Sequence, residues 1–259
     1  MAIVQQVLFS LVLIAAFLLI RRRVLTIRSN ISLGRAVTIT DNSSERLKTM
    51  MLVAFGQQKM FKRFIPAFLH FLIYAGFLII NIEVLEFILD GLLGTHRLFA
   101  PALGGFYTVL MNIFETLAVL VMLSCVFFLA RRNILKVPRF QSPEMKKWPT
   151  LDANLILAIE IVLMLAILTM NAADQLLQGT VAEYTQTGKL YFSSLLIPIF
   201  EGLDPASLII VERIAWWFHI VGILGFALYV TYSKHLHIFL AFPNTYYSNL
   251  KSKGQITNM

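Results

Sequence analysis

"WWFHIVGILGFALYVTYSKHLHIF", residues 216–239, decides how the chain is read, because so apolar a stretch carries three histidines. On an ideal helix His219 and His237 stand 18 positions apart, five whole turns at 3.6 residues per turn, so both imidazoles project from one face. His235 points to nearly the opposite side. At a rise of about 1.5 Å per residue the aligned pair is separated by about 27 Å. That is close to the ~30 Å hydrocarbon thickness of a bilayer. One face of a membrane-crossing helix therefore offers an imidazole near each membrane surface.

The rest of the chain agrees with a membrane setting. Of 259 residues, 58% are apolar and 14% charged, and the mean hydropathy is +0.75, far from the soluble average. Apolar stretches long enough to span occur at about 2–20, 64–89, 106–130, 151–172 and 208–233. The expectation is an all-α integral membrane bundle of five transmembrane helices, one domain over 1–259, with a C-terminal exit over 234–259. No linker, repeat or low-complexity segment divides it.

Basic residues set the expected orientation. Segment 21–63 holds ten Lys or Arg and segment 131–150 holds six, whereas 91–105 has only Arg97. Segment 173–207 sets Lys189 against Asp174, Glu183, Glu201 and Asp204. The N-terminus is then expected outside and the C-terminus in the cytoplasm. The net charge of +8 reads as a topology signal and not as a nucleic-acid stripe. The first apolar run lacks a basic n-region and is followed by "RRR" in place of a cleavage site, so it reads as a retained anchor. Cys125 is the sole cysteine, which leaves no internal disulfide and no four-cysteine iron-sulfur cluster in this chain.

Histidines inside a span are costly unless they find partners, so each is a functional candidate, with an interhelical hydrogen bond as the alternative. The face holding His219 and His237 continues through Gly222, Phe226, Val230 and Ser233. Gly222 leaves room beside His219 for a large ring, and Phe226 and Val230 supply apolar walls. A bare metal ion asks for three or four close ligands. Single histidines at two depths suit haem, whose iron takes one axial ligand from each of two helices. In the second span His70 follows the basic entry "QKMFKRF" by about two turns, level with His237, and shares a face with Phe77, Asn81 and Ile88. No second histidine lies in that span, and the remaining candidate for the level of His219 is His96 in "DGLLGTHRLFAP", where Gly91 and Gly94 can turn the chain back. The alternative for His96 is a solvent-facing loop position. His235 reads as an interfacial or lipid-headgroup contact beside Lys234. Glu115 and Glu160 read equally as structural or proton-handling groups, while Glu212 and Arg213 read as helix-end charges. Glu83 and Glu86 lie in the outer half of the second span. No hydrolase triad, phosphate-binding glycine loop or paired-carboxylate site is visible.

Five crossings with a final helix of the form "FH…YSKHLHIF" resemble the cytochrome b membrane subunit of respiratory nitrate reductases, and the membrane parts of heterodisulfide-reductase-like iron-sulfur oxidoreductases. The resemblance covers the whole topology, with its specific motifs confined to His70, His219, Gly222, the "YSK" turn and His237. In that family the last helix gives one ligand to each of two b-type haems and the second helix gives both partners. Carried over, His70 and His237 match the cytoplasm-proximal haem and His219 the distal one. The sequence departs where the second helix lacks a second histidine: His96 replaces it, another ligand serves, or one haem is present. The resemblance implies quinone or quinol as exchangeable substrate, membrane lipid around the bundle, and a cytoplasmic iron-sulfur oxidoreductase subunit or C-terminal domain as partner. The expected function is a haem b cytochrome, the electron-transfer part of a quinone-linked oxidoreductase in a bacterial or archaeal inner membrane. The competing class is a cofactor-free transporter or scaffold, against which the lack of an inverted repeat argues.

Overall fold

In the computed structural model, which describes residues 2–251, the five long helices are α1 (Ala2–Ser32), α3 (Phe64–Leu93), α5 (Gly105–Asn133), α6 (Trp148–Leu177) and α8 (Pro205–Val230). Short helices α2 (Ser43–Met50), α4 (Ala100–Leu103), α7 (Ile197–Phe200) and α9 (His237–Tyr246) fill the connections, and no strand occurs among the described residues. All five long helices are long and apolar enough to cross a membrane. Most run beyond the expected spans, because polar residues at a helix end satisfy their backbone within the helix and keep their heads in water. The fifth does the opposite and stops at Val230, short of the expected 233. Residues 252–259 of the expected C-terminal exit lie outside the described residues.

The helices pack in a ring: α3 on α5, α5 on α6, α6 on α8, with α1 touching both α3 and α8. Helix α3 meets α8 at Phe87, whose ring lies 6.5 Å from Trp216 and 5.7 Å from His219. Glycine sets the closest approaches. A Cβ on Gly76 would lie 2.4 Å from Val121 of α5, and one on Gly91 would lie 2.6 Å from the Phe9 ring. Phe9 is 1% exposed and wedges between Trp216 at 5.5 Å and Trp217 at 6.1 Å, so it is the anchor of an otherwise largely exposed α1.

The two ends differ in charge. At the acidic end, the start of α1 reaches the end of α3, where the Gln6 amide donates to the Leu92 carbonyl. At the basic end, Arg23 of α1 sits 4.2 Å over the Tyr232 ring. Here α2, the following turn Met51–Phe55 and α9 form a collar. Arg46, buried, donates to the Tyr246 and Ser248 carbonyls at 3.2 and 2.9 Å and pairs with Asp41 at 3.1 Å. The Phe55 and Phe242 rings close the collar at 5.0 Å.

Replacing Gly91 by Ala forces the Phe9 ring out of its slot. The expected outcome is a loss of about 1–3 kcal/mol, read as a lower melting temperature in detergent and as faster proteolysis of α1.

Candidate functional site

Between α3, α5, α6 and α8, and closed at the basic end by the collar, lies a cavity of about 380 Å³. It is walled mainly by hydrocarbon, with few polar groups, as small-molecule and cofactor sites are. Four of the five histidines line it: His70, His219, His235 and His237.

The chain reaches this arrangement through a break that the helical wheel does not show. Helix α8 ends at Val230, Ser233 is extended, a 3₁₀ turn covers Lys234–Leu236, and a new helix starts at His237. Ser233 caps the restart, its hydroxyl accepting from the His235 N–H at 3.0 Å. Asp152 of α6 holds the break in place. It is 2% exposed and accepts from the Tyr229 hydroxyl and from the Lys234 N–H at 3.3 Å. The Lys234 ammonium donates to the Pro149 carbonyl at 2.6 Å. The expected single helix through both His219 and His237 is therefore corrected. The two belong to different helices, and the separation computed along one axis does not apply.

At the collar end the His70 and His237 rings stand 6.5 Å apart, centroid to centroid. His237 donates through Nδ1 to the Lys234 carbonyl at 3.1 Å, which leaves Nε2 as the lone-pair nitrogen. Nδ1 of His70 is buried without a partner. His235, expected at a lipid headgroup, instead turns into the cavity, 5.5 Å from His237 and 5.6 Å from Phe226. Burial, then the neighbouring His237 and His70, push its pKa down to about 4, so it is neutral near pH 7.

Toward the acidic end, His219 donates through Nδ1 to the Leu163 carbonyl at 2.9 Å. Its Nε2 is buried and has no hydrogen-bond partner. Gly222, expected to make room for a ring, is a point of helix contact. A Cβ there would lie 2.6 Å from a Leu163 methyl on α6.

The structure does not bring His96 to His219. It lies in a separate pocket of about 90 Å³ at the acidic end, beside Asp174, Arg97 and Glu212. The Thr185 N–H donates to its Nδ1 at 3.1 Å, and its Nε2 lies 3.2 Å from the Asp174 carboxylate. Both ring nitrogens are thus engaged. Arg97 extends this network to Asp174 and Asn171, each at 2.7 Å, and Asn171 donates to Glu115. Glu115 in turn accepts from the backbone of Phe192 and Ser193, and Glu86 from Phe99 N–H and Tyr107. Burial opposes the Arg97 charge, yet Tyr107, Asp174 and Glu83 outweigh it and hold the guanidinium well above its ordinary pKa. Glu212 is gripped by Arg213 and Tyr184, so it is an interior group and not a helix-end charge. Glu160 alone of these acids lines the histidine cavity, with Tyr74 and Asn81 as further polar members. Ser233, a helix-capping residue two positions before His235, is the sequence signal that could have revealed the break.

Among the described residues no group of three or more His, Cys, Asp or Glu is gathered closely enough to hold a metal ion. The donor set fits a planar metallocycle better. With metal–nitrogen distances of about 2.0 Å, two imidazoles on opposite sides of one ion have centroids roughly 6 Å apart. The His70 and His237 separation is close to that, and Nε2 of His219 is a buried acceptor with no hydrogen-bond partner.

Compared with known proteins, the chain is 25% identical over 254 residues to the probable iron-sulfur-binding oxidoreductase FadF of Bacillus subtilis (strain 168). The match covers 98% of this chain and 34% of that protein, so the chain spans about a third of its relative's length. No protein-family model and no solved structure matches.

Because Asp152 joins α6 to the break at two points, Tyr229 and Lys234, Asp152→Ala is expected to lower stability by about 1–3 kcal/mol by leaving buried donors unmade. Asp152→Asn, which still accepts from Tyr229, is expected to lose less. Thermal denaturation in detergent, comparing the two variants, checks this.

Proposed function

We propose that the chain is the membrane part of an iron-sulfur-linked oxidoreductase, a b-type cytochrome joining the quinone pool to an iron-sulfur subunit or domain. The observation that carries the reading is the histidine cavity. His70 and His237 face one another at 6.5 Å across its collar end, and the unpartnered His219 Nε2 waits at the other. Support of a second kind comes from the relative, whose name describes iron-sulfur binding and oxidoreduction, and whose greater length leaves room for such a module.

Haem b, bound there, supplies reversible one-electron chemistry at its iron. The chain's own residues hold and insulate it. The Lys234 carbonyl orients His237 by accepting a hydrogen bond from its Nδ1–H, the usual way an outer partner fixes a metal-ligating imidazole. Phe226, Ile80, Val84 and Ile223 exclude water along the cavity. Orientation follows from the basic loops: ten Lys or Arg over 21–63 and six over 131–150 belong on the cytoplasmic side. That puts the collar toward a cytoplasmic partner, the N-terminus outside, and the bundle in a bacterial or archaeal inner membrane. Quinone or quinol enters as the lipid-soluble substrate. His96 is left out of the ligand set because Thr185 and Asp174 occupy its nitrogens.

The test is the absorption spectrum of the purified chain, oxidised and then reduced, after expression with ample haem supply. A Soret band and a reduced alpha band are expected. Their absence would overturn the reading and favour a cofactor-free transporter or scaffold. His70→Ala and His237→Ala are each expected to lower the haem content by about one equivalent per chain, since one iron needs both nitrogens. His96→Ala is expected to leave haem content unchanged while lowering the melting temperature.

A further inference from the structure

We infer that Glu160 holds the quinone headgroup: its carboxyl group is the hydrogen-bonding partner of one ring oxygen, in the middle of the histidine cavity. The inference rests on the reading of the chain as quinone-linked, and it assigns a site that this reading leaves open.

On α6 the exposed side chains of Leu151, Leu155, Val162 and Leu165 mark the face turned to lipid. At about 100° per residue Glu160 falls on the opposite face, among the buried Ile156, Leu163, Met164 and Ile167. Those four are closed off, whereas Glu160 is only partly buried and lines the cavity. Its open surface therefore faces the cavity and not the lipid. Among the described residues no hydrogen bond or ion pair reaches its carboxyl group. The acids of the polar end differ, since Glu86, Glu115, Asp174 and Glu212 all have partners. An ionisable side chain inside a membrane bundle is costly unless something pairs with it, and here the protein supplies nothing.

The surroundings fit a neutral, planar ring that carries oxygens. The cavity is walled mainly by hydrocarbon, and its few polar groups come from three helices, as in small-molecule sites generally. From α3 come Tyr74, whose hydroxyl is buried without a partner, and Asn81, whose amide N–H goes to the Phe77 carbonyl and leaves its side-chain oxygen. From α8 comes the unpartnered Nε2 of His219. Along α6, Glu160 lies about 12 Å from Asp152, which holds the break beside His235, and about 4.5 Å short of Leu163, whose carbonyl accepts from His219. The headgroup therefore sits between the His70 and His237 pair and His219. One carboxyl group serves both redox forms of the ligand: ionised, it accepts from a hydroquinone hydroxyl, and protonated, it donates to a quinone carbonyl. A lipid acyl chain has no group to offer it. A bare cation needs several close ligands, and among the described residues no such group of His, Cys, Asp or Glu is gathered.

The experiment titrates the purified full chain in detergent with heptyl hydroxyquinoline N-oxide, a fluorescent quinol analogue whose emission is quenched on binding. It also records the infrared difference spectrum of the carboxyl C=O stretch with and without menadione. The expected result is one saturable site and a shift of one carboxyl band. Glu160→Gln, nearly the same in shape, is expected to weaken analogue binding about tenfold or more, as loss of a hydrogen bond to a charged group does, and to remove the band shift. Glu160→Asp, which keeps the carboxyl group, is expected to keep a band shift and to weaken binding less. Unchanged affinity in Glu160→Gln, or a band shift that persists in it, would overturn the inference. So would an unmodified chain that binds menadione with no carboxyl shift. Because that last readout is made on the unmodified chain, poor folding of a variant does not remove the test. A chain that carries haem and binds no analogue overturns only this inference, whereas a chain without haem overturns the proposed function, whatever its affinity for the analogue.

Discussion

The cavity depends on one carboxylate. Asp152, near the start of α6, accepts from Tyr229 in the last turn of α8 and from the backbone of Lys234 beyond it. Ser233 is the only local signal for a stop near Val230, and an uninterrupted helix would carry His235 away from His237. With the Asp152 anchor, the chain turns, Ser233 caps a new helix, and both histidines are delivered to the face of α3 that holds His70. A buried carboxylate is costly unless its lone pairs are filled. Here the filling groups are the ones whose positions matter, so the cost of burial and the geometry of the site are linked.

The ends of the bundle solve opposite problems. At the acidic end, Glu83, Glu86, Glu115, Asp174 and Glu212 are all buried, and Arg97 and Arg213 with backbone N–H groups satisfy most of them. Removing one partner of such a network strands charge in a low dielectric, which makes it rigid and specific even where its net contribution to stability is small. At the basic end the cavity is walled mainly by hydrocarbon, with imidazoles among its few polar groups. An apolar interior with few donors suits a large cofactor, and a saturated polar interior does not. The position of the cavity follows from that division.

The comparison with the Bacillus subtilis relative bears on scale. This chain aligns almost end to end with about a third of that protein, and that third is a five-helix membrane bundle here. The collar, where Arg46 ties α2 to the chain after α9, closes the cavity at the end nearest the C-terminus. Any redox module working with this bundle meets the His70 and His237 end first if it sits on the basic side.

Sequence by itself determined the number of crossings, their order and the charge difference between the ends. These are sums over neighbouring residues, and hydrophobicity over ~20 positions outweighs any single contact. It also determined that His70 and His237 share a depth, since each lies a short distance from a basic helix end. Three things lay beyond it. The break after Val230 is held by Asp152, about eighty positions away, and a helical wheel carries its phase through such a break unchanged, which misplaced His235. Gly222 was expected to make room for a ring, and only the presence of Leu163 on the neighbouring helix makes it a point of helix contact instead. His96 could have met His219 by distance along the chain, yet Asp174 and Thr185 reached it first. In each case the outcome depended on a contact between residues far apart in sequence, whose geometry exists only after the helices have packed.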